Sequence, residues 1–282
     1  MALITISNGE LKVTVSTKGA ELQAITDKNG VERLWNGDPA FWTGRAPVLF
    51  PIAGGLKDDQ YTFDGATYPM PKHGTVRKSM WQVEKVGEDF VTFIITDKAP
   101  GFPFEYELRA TYTLKGNAVE AAYSVTNRDS KRFAFSLGSH EAFATPEGIE
   151  NYEIVFDKAE KLNQYPLLGN LIAREPVCLG DSVTVLPMKE EYFAVDAMVF
   201  ADIASRKVTL QSKLHDRKVI VDFPQCGVLM LWTKPGAPYL CIEPWCNAPD
   251  FVDQDPDFAA KKGIMILNPG EEKTVTHTMA FA

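Results

Sequence analysis

Short runs of alternating apolar and polar residues recur along the whole chain, and turn residues separate them. Successive side chains of a β-strand point to opposite faces, so a period of two predicts strands with one buried face. Asn29-Gly30 and Asp64-Gly65 tolerate positive φ, and each predicts a tight hairpin between its flanking strands. The predicted strands, in chain order, are Leu3–Ser7, Leu11–Ser16, Glu21–Thr26, Glu32–Leu34, Tyr61–Phe63, Thr67–Met70, Trp81–Val86, Phe90–Asp97, Tyr106–Leu114, Val119–Asn127, Ala134–Leu137, Tyr152–Phe156, Ala197–Ala201, Lys207–Ser212, Lys218–Asp222, Val228–Thr233, Tyr239–Glu243 and Thr274–Phe281.

Helical periodicity is nearly absent. The best short candidate is Asp255–Lys262, where acidic residues precede lysines as a helix dipole prefers. No internal repeat, low-complexity tract or linker-like stretch divides the chain. Turn-delimited strands at this spacing predict an all-β fold, a large antiparallel β-sandwich that forms one domain over residues 1–282.

Composition and charge narrow the class of ligand. The 282 residues are 45% hydrophobic and 23% charged, which is ordinary globular composition. A net charge of −8 with no cluster of Lys and Arg argues against a nucleic-acid partner. Scattered charges and the lack of a long apolar run argue against a membrane partner. The sequence therefore predicts a neutral or small ligand.

The N-terminus and the cysteines indicate the compartment. Residues 1–15 alternate in polarity and lack a signal-peptide core, so we expect a cytoplasmic protein. The four cysteines, Cys178, Cys226, Cys241 and Cys246, are too few for a disulfide framework in a chain of this length. No second pair or nearby His completes a zinc site around Cys241 and Cys246. The sequence predicts free thiols and no metal.

Two basic side chains interrupt apolar loop segments. Arg45 lies in the apolar, proline-containing stretch 42–55. Its guanidinium either pairs with a carboxylate at a strand end or directs its N–H donors into a ligand cleft. His73 lies between Pro71 and Gly74, with Lys72 and Arg77 beside it. A lone His is more often structural than catalytic, but local positive charge disfavours its cationic form and suits a neutral imidazole that donates to an oxygen.

Two further polar side chains follow apolar strands. His140 ends one such strand after Gly138, which would allow close approach of a ligand. Glu243 ends another and precedes Pro and Trp245, so partial desolvation would raise its pKa. Trp245 and Trp232 offer flat faces on which sugar C–H groups stack, although aromatic residues at this density are usually core.

Taken together, these segments resemble the aldose 1-epimerase (galactose mutarotase) family, in that family's order along almost the whole chain. A His-Gly or a Glu-Pro pair alone has no specificity, and the joint order and spacing carry the resemblance. The similar segments are Gly19–Leu22, Leu34–Asp38, Phe41-Trp42, Pro47–Gly54, His73-Gly74, Gly138–His140, Ile242–Trp245 and Leu267–Glu271.

The resemblance implies the galactose-mutarotase-like supersandwich and interconversion of the α and β anomers of a hexose, without metal or organic cofactor. It implies that Glu243, as a carboxylate, takes the proton of the C1 hydroxyl. It implies that His140, as an imidazolium, protonates the ring oxygen. The ionisation states of the two groups must therefore be opposite before each turnover.

The resemblance also implies the side chains that bind the sugar. His73 matches a histidine near the ring oxygen, and Arg45 matches an arginine in the cleft. An aspartate that holds hydroxyls is the loosest match, and Asp196 fits better than Asp202 because it lies just before a predicted strand. Trp245 is added to this set as a stacking surface because of its flat aromatic face, and not because of the resemblance.

Several alternatives stay open at this point. A related branch acts on hexose 6-phosphates with extra basic groups, and Arg77 and Lys72 flank His73 here. Two other hypotheses are that the protein binds sugars without catalysis, or that it is a lyase or a hydrolase with the same fold. A hydrolase usually needs two carboxylates, for which Glu243 and Asp196 are the candidates. The sequence fits a monomer or a dimer equally.

Overall fold

The strands alternate between buried and exposed positions over most of the chain. The computed structural model describes residues 1–282. Its strands are β1 Leu3–Ser7, β2 Leu11–Ser16, β3 Leu22–Asp27, β4 Gln60–Phe63, β5 Ala66–Pro69, β6 Gln82–Val86, β7 Phe90–Ile95, β8 Tyr106–Lys115, β9 Ala118–Asn127, β10 Phe133–Phe135, β11 Glu141–Ala144, β12 Tyr152–Glu160, β13 Asn163–Gln164, β14 Leu167–Leu168, β15 Leu171–Ile172, β16 Val177–Cys178, β17 Val183–Pro187, β18 Met198–Phe200, β19 Lys207–Ser212, β20 Lys218–Asp222, β21 Val228–Trp232, β22 Tyr239–Trp245, β23 Met265–Leu267 and β24 Glu272–Phe281. Short 3₁₀ turns lie at Lys57–Asp59, Val76–Lys78, Ile149–Asn151, Glu190–Phe193 and Phe258–Ala260.

Two sheets organise the molecule. A nine-stranded sheet has the order β17-β12-β19-β20-β24-β9-β8-β7-β6, and a four-stranded sheet has the order β11-β22-β21-β18. Within both sheets the paired strands are antiparallel. A three-stranded sheet β1-β2-β3 and several two-stranded ribbons complete the fold. The prediction of an all-β fold with large antiparallel sheets is confirmed.

The two large sheets face each other across a shared core. β8 alternates strictly between buried and partly buried residues, which is the period expected of a strand with one face inside. β24 of the nine-stranded sheet contacts β11 of the four-stranded sheet through the rings of Phe281 and Phe143. His277 on β24 also hydrogen-bonds to Glu141 on β11, with 2.9 Å between Nε2 and Oε1. This packing buries one face of the four-stranded sheet.

β22 differs from the other long strands because all seven of its residues are buried. Leu240 and Ile242 belong to the large core between the sheets, whereas Cys241 and Trp245 belong to separate small clusters. Odd-numbered and even-numbered side chains therefore leave β22 on opposite faces. One face supports the core, and the other is covered by loops.

Two predicted elements differ from the structure for local reasons. Glu32–Leu34 makes only isolated bridges, because the Glu32 carboxylate accepts the backbone N–H of Ile25 and that of Leu34. Of the predicted helix Asp255–Lys262, only the 3₁₀ turn Phe258–Ala260 forms. The Asp257 carboxylate accepts the N–H of Ala259 and so favours a local turn over a continuing helix. No helix in the structure has the length and apolar composition needed to cross a bilayer.

Candidate active site

His140 and Glu243 are neighbours because of strand register. β11 pairs with β22 so that Glu141 lies opposite Ile242, and an isolated bridge continues the same register from Gly138 to Trp245. His140 therefore lies directly across from Glu243. Cross-strand residues in this position have side chains on the same face and in contact. Met230 on β21 lies opposite Glu243 on the other side of that strand.

The acid–base pair is close and almost fully buried. His140 Nε2 lies 3.4 Å from Glu243 Oε2. Glu243 is 2% exposed and His140 is 9% exposed. Neither His140 Nδ1 nor Glu243 Oε2 has a hydrogen-bond partner within the protein. Buried polar atoms are rarely left without partners, so these two atoms are unusual.

Aromatic side chains fix the orientation of the His140 ring. Trp42 stacks on the imidazole with 4.9 Å between ring centroids and 29° between planes. Trp232 meets it edge-on at 5.7 Å, and His73 meets it edge-on at 5.8 Å. These contacts restrict the imidazole to a narrow range of orientations beside Glu243.

His73 enters the site on a tight turn with positive φ. Its φ is 66°, and its backbone N–H donates to the carbonyl of Gly54 at 2.8 Å. The Gly54 N–H in turn donates to His73 Nδ1 at 3.2 Å, so a neutral ring carries its proton on Nε2. Gly74 follows with φ 69°, and a Cβ there would lie 2.1 Å from the Phe50 carbonyl oxygen. The turn thus requires glycine at position 74.

The cavity around these groups has a volume of about 330 Å³. That volume lies within the range of small-molecule sites, and its walls mix aromatic and polar groups as such sites do. His140, Glu243 and Trp245 belong to its floor, which is the loop-covered face of the four-stranded sheet. The full set of lining residues is Trp42, Pro47, Gly54, Gly55, Lys72, His73, Arg77, His140, Leu167, Asn170, Asp196, Ala197, Met230, Trp232, Glu243, Trp245 and Pro249.

Burial shifts the pKa of each acid–base group toward its neutral form. Burial raises the pKa of Glu243 well above its ordinary value, the carboxylates of Glu141 and Asp196 raise it further, and Lys72 opposes them. Burial lowers the pKa of His140 to about 3, and the charges of Arg77 and Lys72 lower it further. These shifts favour a protonated Glu243 beside a neutral His140. This differs from the ion pair expected from the resemblance.

The pKa of His73 is also lowered well below its ordinary value. Burial is the largest cause, followed by His140, Lys72 and Arg77. The sequence-based expectation of a neutral imidazole rested on repulsion from basic neighbours alone. In the structure, burial contributes more than those charges.

The structure brings most of the predicted site residues together. His73, Arg77, His140, Asp196 and Glu243 all line the cavity, as does Trp245. Trp245 donates its indole N–H to the Ser139 carbonyl at 3.0 Å, which fixes the ring in the floor of the cavity. Asp202 lies elsewhere, in an exposed ion pair with Lys262.

Arg45 is the exception, because its side chain does not line the cavity. Its guanidinium donates to the Gln23 carbonyl, on the edge strand β3. The backbone N–H of Arg45 donates to Glu21 Oε1 at 2.7 Å, and its carbonyl accepts from Ala142. An edge strand leaves carbonyl oxygens without partners in the sheet. The Arg45 guanidinium donates to one of these, and its side chain therefore points away from the cleft. The prediction that placed it in the cleft is wrong for this structure.

Three lining residues were not predicted as site residues, although Trp42 lies in a segment that carries the resemblance. Trp42 comes from an irregular loop and Asn170 from the turn between β14 and β15. Met230 is an apolar residue in an apolar strand. Only the long-range assembly of the strands and loops places them beside Glu243.

One donor set at this site could hold a metal. Ligand atoms of His140, Cys241 and Glu243 lie within 4.8 Å of one another. A metal would require the Cys241 thiolate, and burial raises the pKa of that thiol well above its ordinary value. Lys72 and Arg77 add positive charge to the same cavity. These residues fit a metal poorly, and metal-free chemistry stays a prediction from the resemblance.

Comparison with known proteins agrees with this description. The family model for aldose 1-epimerase matches residues 2–280. The protein LacX (chromosomal) of Lactococcus lactis subsp. lactis is 33% identical over 259 residues, covering 86% of this chain and 87% of LacX. The structure of a galactose mutarotase related enzyme from Lactobacillus acidophilus is 29% identical with a TM-score of 0.91, over 100% of this chain and 97% of that one. A galactose mutarotase-like protein from Lactobacillus casei is 30% identical with a TM-score of 0.90, over 100% of both chains.

Fold and site together define an antiparallel β-sandwich protein with a carboxylate–imidazole pair on the floor of a cavity. The chain belongs to the aldose 1-epimerase family.

Proposed function

We propose that the protein is an aldose 1-epimerase that interconverts the α and β anomers of a hexose. The observation that carries this proposal is the placement of His140 opposite Glu243, 3.4 Å apart, on the floor of a cavity of about 330 Å³. Membership of the family and likeness to a galactose mutarotase related enzyme support it.

Anomerisation needs one proton removed and one proton delivered. Glu243 takes the proton of the C1 hydroxyl while His140 delivers one to the ring oxygen, and the C1–O5 bond breaks. Rotation about C1–C2 presents the other face of the aldehyde. Closure then reverses both transfers, so the pair ends in its starting state.

The pair supplies these transfers if it holds one mobile proton. Protonated Glu243 with neutral His140 contains the same number of protons as carboxylate with imidazolium. Once a hydrogen bond forms across the 3.4 Å between Glu243 Oε2 and His140 Nε2, proton transfer converts the first form into the second, and mutual attraction stabilises the charged form. The pKa directions of His140 and Glu243 are therefore compatible with the roles that the resemblance implies.

Other lining residues supply binding and orientation. His73 presents its Nε2 proton to a sugar oxygen because Nδ1 is occupied by the Gly54 N–H. Asp196 accepts from sugar hydroxyls. Trp245 is only 2% exposed and therefore supports the floor, whereas the partly buried Trp232 offers a ring against which sugar C–H groups can pack. No cofactor takes part in these steps.

A rate assay separates an enzyme from a sugar-binding protein on the same fold. Polarimetry on freshly dissolved α-glucose and α-galactose should show equilibration faster than the uncatalysed rate, in proportion to protein concentration. A protein that binds these sugars but leaves the uncatalysed rate unchanged would contradict the proposal. In a separate incubation with oligosaccharides, release of a new reducing end would instead identify a hydrolase, and an unsaturated product would identify a lyase.

The pH dependence of the rate should report the shared proton. The pKa of His140 is lowered to about 3 and that of Glu243 is raised, so the pair holds one proton between those limits. Above the upper limit the pair loses its proton, and below the lower limit it gains a second. We therefore expect kcat/KM to be level through mildly acidic pH and to fall above the raised pKa of Glu243. A catalysed rate that keeps rising into alkaline pH, after subtraction of the uncatalysed rate, would contradict this mechanism.

A hexose 6-phosphate is a second candidate substrate, favoured by the placement of two cations. Lys72 and Arg77 both line the cavity, and Arg77 Nε is buried without a hydrogen-bond partner. A phosphate oxygen would satisfy that donor, and charge-assisted hydrogen bonds of this kind are the strong ones.

The variant Arg77→Gln distinguishes the two substrates. If the phosphate binds at Arg77, we expect kcat/KM for glucose 6-phosphate to fall roughly 10–100-fold more than kcat/KM for glucose, the range of a lost charged hydrogen bond. Lys78→Gln is the matched control, since Lys78 follows on the same 3₁₀ turn and is exposed outside the cavity. Equal losses for both sugars in Arg77→Gln would show that the cation does not select for phosphate.

A further inference from the structure

Two of the four cysteines lie side by side behind the active site. The sulfur atoms of Cys226 and Cys246 are 3.8 Å apart. Cys226 closes the turn before β21, with its N–H donating to the Phe223 carbonyl at 3.1 Å. Cys246 follows Trp245 at the end of β22, and its N–H donates to the Leu137 carbonyl at 2.9 Å. Two segments of ordered backbone thus hold the thiols in contact.

We propose that Cys226 and Cys246 form a reversible disulfide when the protein meets a peroxide, and that this pair is a thiol-oxidation site distinct from the sugar cavity. A disulfide has an S–S length of about 2.05 Å, so the two sulfur atoms must approach by roughly 1.8 Å from their present separation. Rotation of two short side chains supplies movement on that scale without separating β21 from β22.

A second cavity gives an oxidant access to one of the two thiols. Cys246 is partly exposed and lines a cavity of about 410 Å³, whereas Cys226 is 3% exposed. Gly263 lies against the Cys246 carbonyl, where a Cβ would be 1.9 Å from the oxygen. Glycine at 263 therefore allows the chain to pass Cys246 this closely.

Exposure gives the two thiols different roles, and the pKa directions agree with them. The contact with Cys226 lowers the pKa of Cys246, burial opposes this, and Lys273 lowers the pKa further. The same contact raises the pKa of Cys226, and burial adds to the rise. Cys246 lines the second cavity, so its sulfur is the one that attacks the oxidant as a thiolate, and the buried Cys226 then attacks Cys246 to close the disulfide.

The reaction balances in two steps. The Cys246 thiolate attacks one oxygen of hydrogen peroxide, the O–O bond breaks, and sulfenic acid forms with release of hydroxide. The Cys226 sulfur then attacks the Cys246 sulfur, the S–O bond breaks, and water leaves with the Cys226 proton. Overall, two thiols are oxidised to one disulfide and one peroxide is reduced to two waters. A dithiol reductant reverses the change.

The test measures which thiols disappear on mild oxidation of the full-length protein. Reduced protein has four thiols that react after denaturation, one for each cysteine. After treatment with dilute hydrogen peroxide and removal of the excess, we expect two, because one disulfide consumes two thiols. Intact mass should fall by two hydrogen atoms, and peptide mapping without reduction should join the Cys226 peptide to the Cys246 peptide. Dithiothreitol should restore all four thiols.

Two variants and one control make the result specific. Cys226→Ser should stop oxidation at sulfenic or higher acids of Cys246, and Cys246→Ser should leave Cys226 unoxidised under the same treatment. Cys178→Ser should form the disulfide as the parent does, because Cys178 is an exposed cysteine outside the pair. Retention of four thiols in the parent would overturn the proposal, and so would disulfides that involve only Cys178 or Cys241. None of these measurements depends on anomerisation.

Discussion

Replacing Glu243 with glutamine is expected to lower the catalysed rate of anomerisation by about 10²–10⁴-fold, the range measured for loss of a positioned general acid or base. Glutamine has the shape of glutamate but cannot take the proton of the C1 hydroxyl. Glu243 Oε2 has no hydrogen-bond partner within the protein, so the substitution breaks no hydrogen bond of that atom. We therefore expect the loss to appear in kcat with the fold retained.

The measurement is a steady-state assay beside a thermal unfolding curve. Glu160→Gln is the matched control, because Glu160 is also a buried carboxylate but accepts backbone N–H groups of Ala204 and Ser205 far from the cavity. That control should lower the unfolding temperature and leave kcat near the parent value. Unchanged kcat in Glu243→Gln would remove Glu243 from the mechanism.

Replacing His140 with asparagine is expected to reduce kcat over a similar range. Asparagine retains a polar side chain, but it cannot deliver a proton to the ring oxygen. It also removes the ring that stacks on Trp42 at 4.9 Å, so some loss of stability should accompany the loss of rate. His215→Asn is the control, since His215 contacts a carboxylate, Glu147, at 3.1 Å but lies outside the cavity.

The double variant distinguishes a pair from two independent groups. If Glu243 and His140 exchange one proton, removing the second group adds little to the loss caused by the first. The kcat of the combined Glu243→Gln, His140→Asn protein should therefore be close to that of the less active single variant. Losses that multiply would show that the two residues act separately, and the shared-proton mechanism would then be wrong.

Local pattern predicted most of the strands because alternation is a property of neighbouring residues. β1, β2, β19 and β20 coincide with their predicted bounds. β11 was not predicted because it is only four residues long. It also comes soon after Gly138-Ser139, residue types that usually indicate the end of a strand. Sheet order and register depend on segments far apart in sequence, and no local pattern specifies them.

The candidate site was partly predictable for the same reason. The polar residues that interrupt apolar segments, such as His140 and Glu243, could be singled out from sequence. Their cross-strand register joins segments about one hundred residues apart and emerged only from the fold. Arg45 shows the limit of the approach, since the unpaired carbonyl on β3 that captures it belongs to a distant strand.

Strand β22 is buried on both faces, so the floor of the cavity tolerates amino-acid substitutions less well than the loops around it. Its core-facing side chains, such as Leu240 and Ile242, hold the two sheets together, so changes of side-chain size along this strand disturb the fold that positions the floor. Lys72, Arg77, Asn170 and Asp196 project instead from turns and bends, where backbone conformation accepts many residues. In proteins with this fold, substitutions at these four positions can therefore change which sugar binds. The proton transfers by His140 and Glu243 would stay the same.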